Sequence, residues 1–571
     1  MYRERTLNHN QEEEDMSSTQ QNQQKADAEP ATDFDAVIVG AGFAGLYALH
    51  KLRNEMGLSA RVLEAGDGVG GTWYWNRYPG ARSDSSSWIY CYSFDEELRQ
   101  EWKWSERYPQ QPEMLSYLEH VAERFDLNRD IQLGTRVNEA TFDEETNRWE
   151  VRTDTGDVVS ARFLIAALGA LSAANVPDIS GIENFAGEWY HTAEWPHEGV
   201  DFTGKRVGVI GTGATGIQVA TEVAEQADHL TVFQRTPNYA LPLGNYPLDA
   251  ESRRRYKENY EEIWEWVRHN FTGHDYDFIG KTLEEATPEE RERAFQEQYD
   301  RGGFGVWLGN YDDILENREA NDVVSEWMRQ KIRGQVDDPV TAERLTPRDH
   351  AFGTKRVPLE NGYYAIFNRD NVELVDVQKA PILEITPTGV RTQDGEYEFD
   401  ALVFATGFDA MTGPYNKIDI RGRSGQLLRD KWAEGPRTYL GLMSADYPNL
   451  FAVTGPQSPS VLTNMPVAIE QHVEWISGII QHMLENGLDV VEPTREAEDE
   501  WVDHSQEVAY ATLFPESATW YMGANIPGKP QVFLPYLGGL GPYRQKCDEV
   551  AANDYEGFAF DGSSSKEEVR A

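Results

Sequence analysis

Gly40, Gly42 and Gly45 stand in the run GAGFAG, at the end of the apolar stretch FDAVIVG. Glycines at this spacing permit a tight turn at the first position, approach of backbone amides to a pyrophosphate at the second, and close packing of the following helix at the third. After the next apolar stretch, ARVLEAG, Glu64 is placed to accept hydrogen bonds from the hydroxyls of an adenosine ribose. The device recurs as GTGATG, at Gly211, Gly213 and Gly216. There the following strand ends in Gln234, Arg235 and Thr236, with no carboxylate. An acid would repel a 2′-phosphate, whereas Arg235 can pair with one bidentately and Thr236 can donate a further bond. The second nucleotide is therefore read as NADPH rather than NADH, with a plain surface charge as the other reading of Arg235.

Two dinucleotide sites in one chain imply electron flow from a nicotinamide to a tightly held flavin, FAD. The 2 cysteines, Cys91 and Cys547, lie far apart and form no CxxC, which excludes the vicinal dithiol of a flavin disulfide reductase. Molecular oxygen is the natural acceptor that remains. The 12 histidines include no HExxH, so no metal is expected.

Phe185, Gly187, His191, Trp195 and Pro196, in FAGEWYHTAEWP, match the pattern FxGxxxHxxxW[PD]. With it the chain resembles the Baeyer–Villiger monooxygenases, class B flavoprotein enzymes, most nearly their phenylacetone monooxygenase branch. The stretch GGTWYWNRYPGARSD resembles the other long signature of that family through Gly70, Gly71, Trp73, Tyr78, Pro79, Gly80 and Asp84. The resemblance implies that this segment passes the flavin, so that Gly71, Thr72, Trp73 and Tyr90 belong to cofactor binding, and that it brings Asp84 beside a catalytic arginine. That arginine matches Arg356 in FGTKRVPLENG, and Lys355 matches the lysine that assists NADPH recognition. Trp520 resembles a mobile tryptophan that touches the nicotinamide, with a packed aromatic as the alternative. Ser458, Pro459, Ser460, Val461 and Leu462 resemble the substrate loop. The fingerprint histidine, His191, is read as a structural or hinge residue, with proton transfer as the alternative.

The implied reaction converts an aryl or cyclic ketone to an ester or lactone with O2 and NADPH, through a flavin C4a-peroxide. Such chemistry needs a fixed cation beside an attacking anion and then beside a developing alkoxide. Arg356 cannot deprotonate in a protein, and Asp84 would orient it and keep it paired. N- or S-oxygenation by a related flavin monooxygenase, or a redox-sensing protein without turnover, are the competing readings.

These residues require an α/β fold with two Rossmann-like dinucleotide-binding domains, for FAD and NADP, and a helical insertion in the second. At 571 residues the chain is long enough for such a division. The expected order is a disordered, acidic and Gln-rich extension over 1–33, the FAD domain over 34–175, the NADP domain over 176–246, and the helical insertion over 247–345. The NADP domain then resumes over 346–395, and the FAD domain with the substrate loop over 396–560, before a flexible tail at 561–571. Charge adds an exclusion: 52 Lys and Arg against 97 Asp and Glu give 52 − 97 = −45, so no nucleic-acid footprint exists at whole-chain level. Surplus carboxylates throughout the chain suit a salty cytoplasm, where screening removes their repulsion. No signal peptide and no run of 18 apolar residues is visible, so neither secretion nor a membrane is expected. The partners are then a small-molecule ketone and O2, with the chain a monomer or weak homo-oligomer.

Overall fold

The computed structural model describes residues 32–562. Most of the polar extension and nearly all of the tail expected from the sequence lie outside them. The bounds differ slightly from those expected: the first strand, Thr32–Val39, begins before residue 34, and the last, Phe558–Gly562, continues past 560.

Thr32–Val39 lies inside an eight-stranded sheet, between Val158–Ala166 and Ala60–Leu63, and is parallel to both. The antiparallel strands Val137–Asp143 and Arg148–Thr153 extend one side of it, and Ile131–Gln132 the other. A second sheet of five parallel strands runs Val372–Asp376, His229–Gln234, Arg206–Ile210, Ala401–Phe404, Glu188–His191. Parallel strands are covered on both faces, which is why RVGVI, ALVF and the middle of HLTVFQ read as continuous apolar runs rather than alternating ones. Each sheet has the glycine turn and helix expected of it, Phe43–Leu49 in the first and Ala214–Gln226 in the second.

The strand Ala401–Phe404 corrects the expected boundary at 396. It pairs with Arg206–Ile210 and Glu188–His191, so the second sheet keeps the chain beyond that point. The chain rejoins the first sheet only at Asp419–Arg421. An apolar run shows that a strand is buried but not which sheet buries it.

Helices fill the expected insertion, but they do not pack as one unit. In Ala250–Glu258 and Tyr260–His269 the buried Tyr256, Tyr260, Trp264 and Val267 join the apolar core of the first domain. Phe295, Trp307, Val324 and Met328, from the later helices Pro288–Arg301, Gly305–Leu308 and Arg318–Arg333, join that of the second. Trp264 and Val324 are fully buried, and emptying such a site by large-to-small substitution costs about 3–5 kcal/mol for Trp. Trp266 is exposed, as is His269 at the helix end.

Candidate active site

At the first glycine turn every substituent is excluded by backbone. A Cβ on Gly40, whose φ is +103°, would lie 2.6 Å from the Ala167 carbonyl oxygen, and one on Gly45 would lie 1.8 Å from that of Gly40. Gly42 faces Gly71: a Cβ on Gly71, at φ +53°, would come within 2.8 Å of the Gly42 Cα. Two bare loops thus meet where Gly42 caps the helix Phe43–Leu49 without any side-chain hydrogen bond, leaving its first amides for a phosphate. Glu64 is buried nearby; its Oε2 accepts from the Ala41 amide at 2.6 Å and its Oε1 from the Gly66 amide at 2.8 Å. Burial pushes its pKa up, against those two amides. Each oxygen keeps a lone pair for a ribose hydroxyl. This glycine cradle and carboxylate fit the adenosine diphosphate half of FAD. Beyond Gly71 the short helix Thr72–Trp75 presents Trp73, whose ring meets Tyr90 edge-on at 5.8 Å, and Tyr90 in turn meets Phe43 at 5.5 Å.

The second turn repeats the first against Ala405, just past the strand Ala401–Phe404. A Cβ on Gly211, at φ +116°, would lie 2.3 Å from the Ala405 carbonyl oxygen, and one on Gly216 would lie 2.1 Å from that of Gly211. Gly213 has open space where a Cβ would stand, and the helix it caps lacks a side-chain cap. The Thr212 hydroxyl donates to the Thr236 carbonyl at 3.0 Å, drawing the end of the next strand onto the turn. Arg235 is exposed beside it. Burial pushes the Lys355 ammonium below its ordinary pKa; Asp349, at 3.9 Å, opposes this and Arg235 adds to it. Arg235 and Lys355 are thus cations from separate segments, of the kind that pairs with a 2′-phosphate, and the cradle fits NADP(H).

Arg356 and Asp84 are brought together as expected. An Nη of Arg356 donates to Asp84 Oδ2 at 2.5 Å and the other to the Val461 carbonyl at 2.9 Å. The guanidinium carbon lies 4.9 Å from the centre of the Phe304 ring and 5.6 Å from that of Trp307. Burial disfavours the charge, but Asp84 and then the Tyr521 hydroxyl reverse the balance and hold the pKa above the usual arginine value. Tyr521 itself is pushed up to about 12 by burial, against the pull of Arg356. Asp84 is carried by the signature loop, which also touches the second domain. There the Tyr78 hydroxyl donates to Gln218 Oε1 at 2.9 Å, and a Cβ on Gly80 would lie 2.9 Å from the Gln218 carbonyl.

The substrate-loop residues are packed rather than exposed. Ser458 and Ser460 are fully buried, Pro459 and Val461 are buried, and Leu462 is half-buried at the end of the 3-10 turn Ser460–Leu462. The Ser458 hydroxyl donates to the Gly455 carbonyl at 2.7 Å. Trp520 is half-buried with its ring 4.1 Å from that of Tyr521.

The fingerprint residues lie along the edge strand Glu188–His191 and just beyond its two ends. Phe185 and Trp195 are buried, with Pro196 beside the latter, and a Cβ on Gly187 would strike the Asp400 carbonyl at 2.6 Å. His191 ends the edge strand Glu188–His191; its Nδ1 accepts from the Ala193 amide at 3.2 Å, and its Nε2 lies 3.3 Å from the Thr406 hydroxyl. That hydroxyl donates to the Asn175 carbonyl at 2.6 Å, so His191 sits where the two segments that pass between the sheets, after Ala166 and after Phe404, run side by side. Burial lowers its pKa.

Sequence reasoning missed Tyr521, Phe304, Trp307 and the buried His274. His274 meets the Phe304 ring edge-on at 5.6 Å, and burial, helped by Arg356, pushes it down to about 4. Tyr521 was one position from Trp520; the others come from segments read only as insertion. Among the described residues no group of His, Cys, Asp or Glu is arranged to hold a metal, and no helix is long and apolar enough to cross a membrane.

Residues 37–272 match a family model described as pyridine nucleotide-disulphide oxidoreductase. Both cysteines are buried and free, consistent with a shared nucleotide scaffold lacking the dithiol. The chain is 48% identical over 94% of its length, and 97% of the relative's, to a Baeyer–Villiger monooxygenase of Pseudooceanicola batsensis. Among solved structures, an oxidised steroid monooxygenase bound to NADP is 50% identical, with a TM-score of 0.89 over 93% of this chain and 100% of the other. Cyclohexanone monooxygenase from Rhodococcus sp. Phi1 bound to NADP+ is 46% identical, with a TM-score of 0.91 over 94% of this chain and 100% of the other.

Proposed function

The chain belongs to the Baeyer–Villiger monooxygenases, and on that premise we propose how its own residues divide the work. It is an FAD-containing, NADPH-dependent enzyme that converts a ketone, O2, NADPH and a proton into an ester or lactone, NADP+ and water. When bound, FAD supplies the chemistry that side chains lack, accepting hydride from NADPH and passing electrons to O2.

The observation that carries the assignment of roles is the paired, half-buried cation at Arg356. Its charge stands ready for the negative charge that develops on the ketone oxygen under attack, and its orientation is fixed in advance by Asp84 and the Val461 carbonyl. Phe304 and Trp307 back the guanidinium with their rings. Lys355, Arg235 and Thr236 hold the 2′-phosphate of NADPH, Glu64 the flavin ribose, and Trp520 the nicotinamide side of the pocket. His191 serves as a hinge, since its partners are the two crossing segments rather than a reacting group.

The ketone is aryl or cyclic and of medium size. The apolar side chains of Val461, Phe304 and Trp307 pack around this one polar anchor, and two structural neighbours are named for a ring ketone and a steroid. The enzyme works as a monomer or weak homo-oligomer in a salty cytoplasm, a reading supported by the charge of −45. Turnover of cyclohexanone and phenylacetone under 18O2 tests the reaction and the ketone class together. One 18O per ester or lactone, with NADPH use stimulated by the ketone, is expected; no ketone-stimulated NADPH use and no ester would refute the proposal.

A further inference from the structure

Cations are outnumbered almost two to one in this chain, yet one cleft gathers four of them around a single carboxylate. It lies between the helix Ala250–Glu258, with its run Arg253, Arg254, Arg255, and the chain that leaves the helix Glu96–Glu101. Lys103, Arg253, Arg254 and Lys257 line a cavity of about 460 Å3, and Glu258 is the only carboxylate among the lining residues.

Three of the four cations are not spent on ion pairs. The Lys257 ammonium donates to the main-chain carbonyls of Gln100 and, at 2.8 Å, Trp102. Arg253 likewise donates to the carbonyls of Leu248 and, at 3.3 Å, Trp104. Arg254 has Glu258 at 3.7 Å. Among the described residues no carboxylate lies within 4.0 Å of Lys103, Arg253 or Lys257. Burial, and then repulsion from Lys103 and Arg253, pushes the Lys257 amine below its ordinary pKa. Elsewhere the same surface pairs its arginines readily, as Arg124 does with Asp95, Glu97 and Glu101. Like charges held around a concavity cost free energy unless an anion joins them. Guanidinium forks beside ammonium groups match the oxygens of phosphoryl groups, and the cavity is of a size that holds a small molecule.

We propose that this cleft binds a small anion carrying two or more phosphoryl groups, a nucleoside polyphosphate or an inorganic polyphosphate, at a site separate from the NADPH cradle of Arg235 and Lys355. The proposal does not depend on the oxygenase reaction.

Calorimetric titration of the FAD-loaded enzyme, saturated with NADP+ and at low ionic strength, tests it with tripolyphosphate and ATP as probes. One tripolyphosphate should bind per chain, and its affinity should fall at least about tenfold in the double variant Lys103→Glu, Arg254→Glu. Both residues are exposed, and neither ties down the main chain, so that variant should fold where changes at Arg253 or Lys257 endanger the local backbone. ATP binding more tightly than tripolyphosphate would identify a nucleoside polyphosphate, and equal affinity would identify the phosphate chain alone. Absence of tripolyphosphate binding, or unchanged affinity in the double variant, would overturn the assignment.

Discussion

Arg356 and Asp84 meet at 2.5 Å although 272 positions separate them in the chain. The signature loop of the first domain and the segment beyond the insertion must both be in place before the pair exists.

Removing the charge should therefore harm oxygen insertion more than flavin reduction, which chiefly needs the two nucleotides aligned. In Arg356→Ala, FAD should still bind and be reduced by NADPH, while ester or lactone formation falls at least about 100-fold, or about 2.7 kcal/mol. The electrons should appear as hydrogen peroxide. Asp84→Ala should show a milder form of the same uncoupling, since it loses orientation and not charge. Rapid-mixing absorbance with product and peroxide assays reads each half; near wild-type ester yield per NADPH in Arg356→Ala would refute the role.

If Arg235 and Lys355 hold the 2′-phosphate as proposed, removing either should weaken its recognition. Arg235→Ala is expected to lower kcat/KM for NADPH at least about tenfold, about 1.4 kcal/mol, and to affect NADH much less. An equal loss with both cofactors would break the link to the phosphate.

Glu470, on the helix Met465–Asn486, is buried, and its Oε1 accepts from the Ser93 amide at 2.6 Å. Burial pushes its pKa up to about 7, from 4.5. The folded chain thus holds this proton more tightly than the unfolded one. Its contribution to stability is complete below about pH 4.5 and is lost as pH rises through about 7. Glu470→Gln cannot titrate, so the stability of the variant relative to wild type should rise between pH 5 and pH 8, by roughly 2–3 kcal/mol. Paired denaturation curves across that range check it, and a pH-independent difference would show that Glu470 keeps an ordinary pKa.

The charge of −45 should make stability depend on salt. Like charges oppose the compact state unless screened, so Tm and flavin retention should both rise from low salt to molar KCl. A Tm independent of KCl would remove the argument for a salty interior.

How much of this could be read beforehand depended on the kind of constraint. Gly40, Gly45, Gly211 and Gly216 were legible because backbone stands where their side chains would be, a steric demand that shows in one stretch of sequence. Arg356 and Asp84 were legible through a family pattern, because nothing local announces a contact across 272 positions. The strand Ala401–Phe404 was legible as a strand but not as a member of the second sheet, since burial on both faces looks alike in either. The Val461 carbonyl, the Phe304 ring and the Tyr521 hydroxyl gave no signal, for a main-chain acceptor has no residue type and a core aromatic has no distinguishing spacing.

The divided packing of the insertion has a mechanical meaning. Its first two helices are anchored in one nucleotide domain and its later helices in the other, so the insertion spans the molecule like a yoke with two fixed ends. The first residue after His269 to join the second domain's apolar core is Tyr276, so the chain passes from one anchor to the other within a few residues. That stretch also delivers His274 against the Phe304 ring and Asp275 to the Ser86 hydroxyl, which donates to its Oδ2 at 3.1 Å, two residues beyond Asp84. The piece of chain that passes between the two domains therefore also packs beside the Arg356–Asp84 pair, so the proposed site and the seat of the insertion are built from one segment.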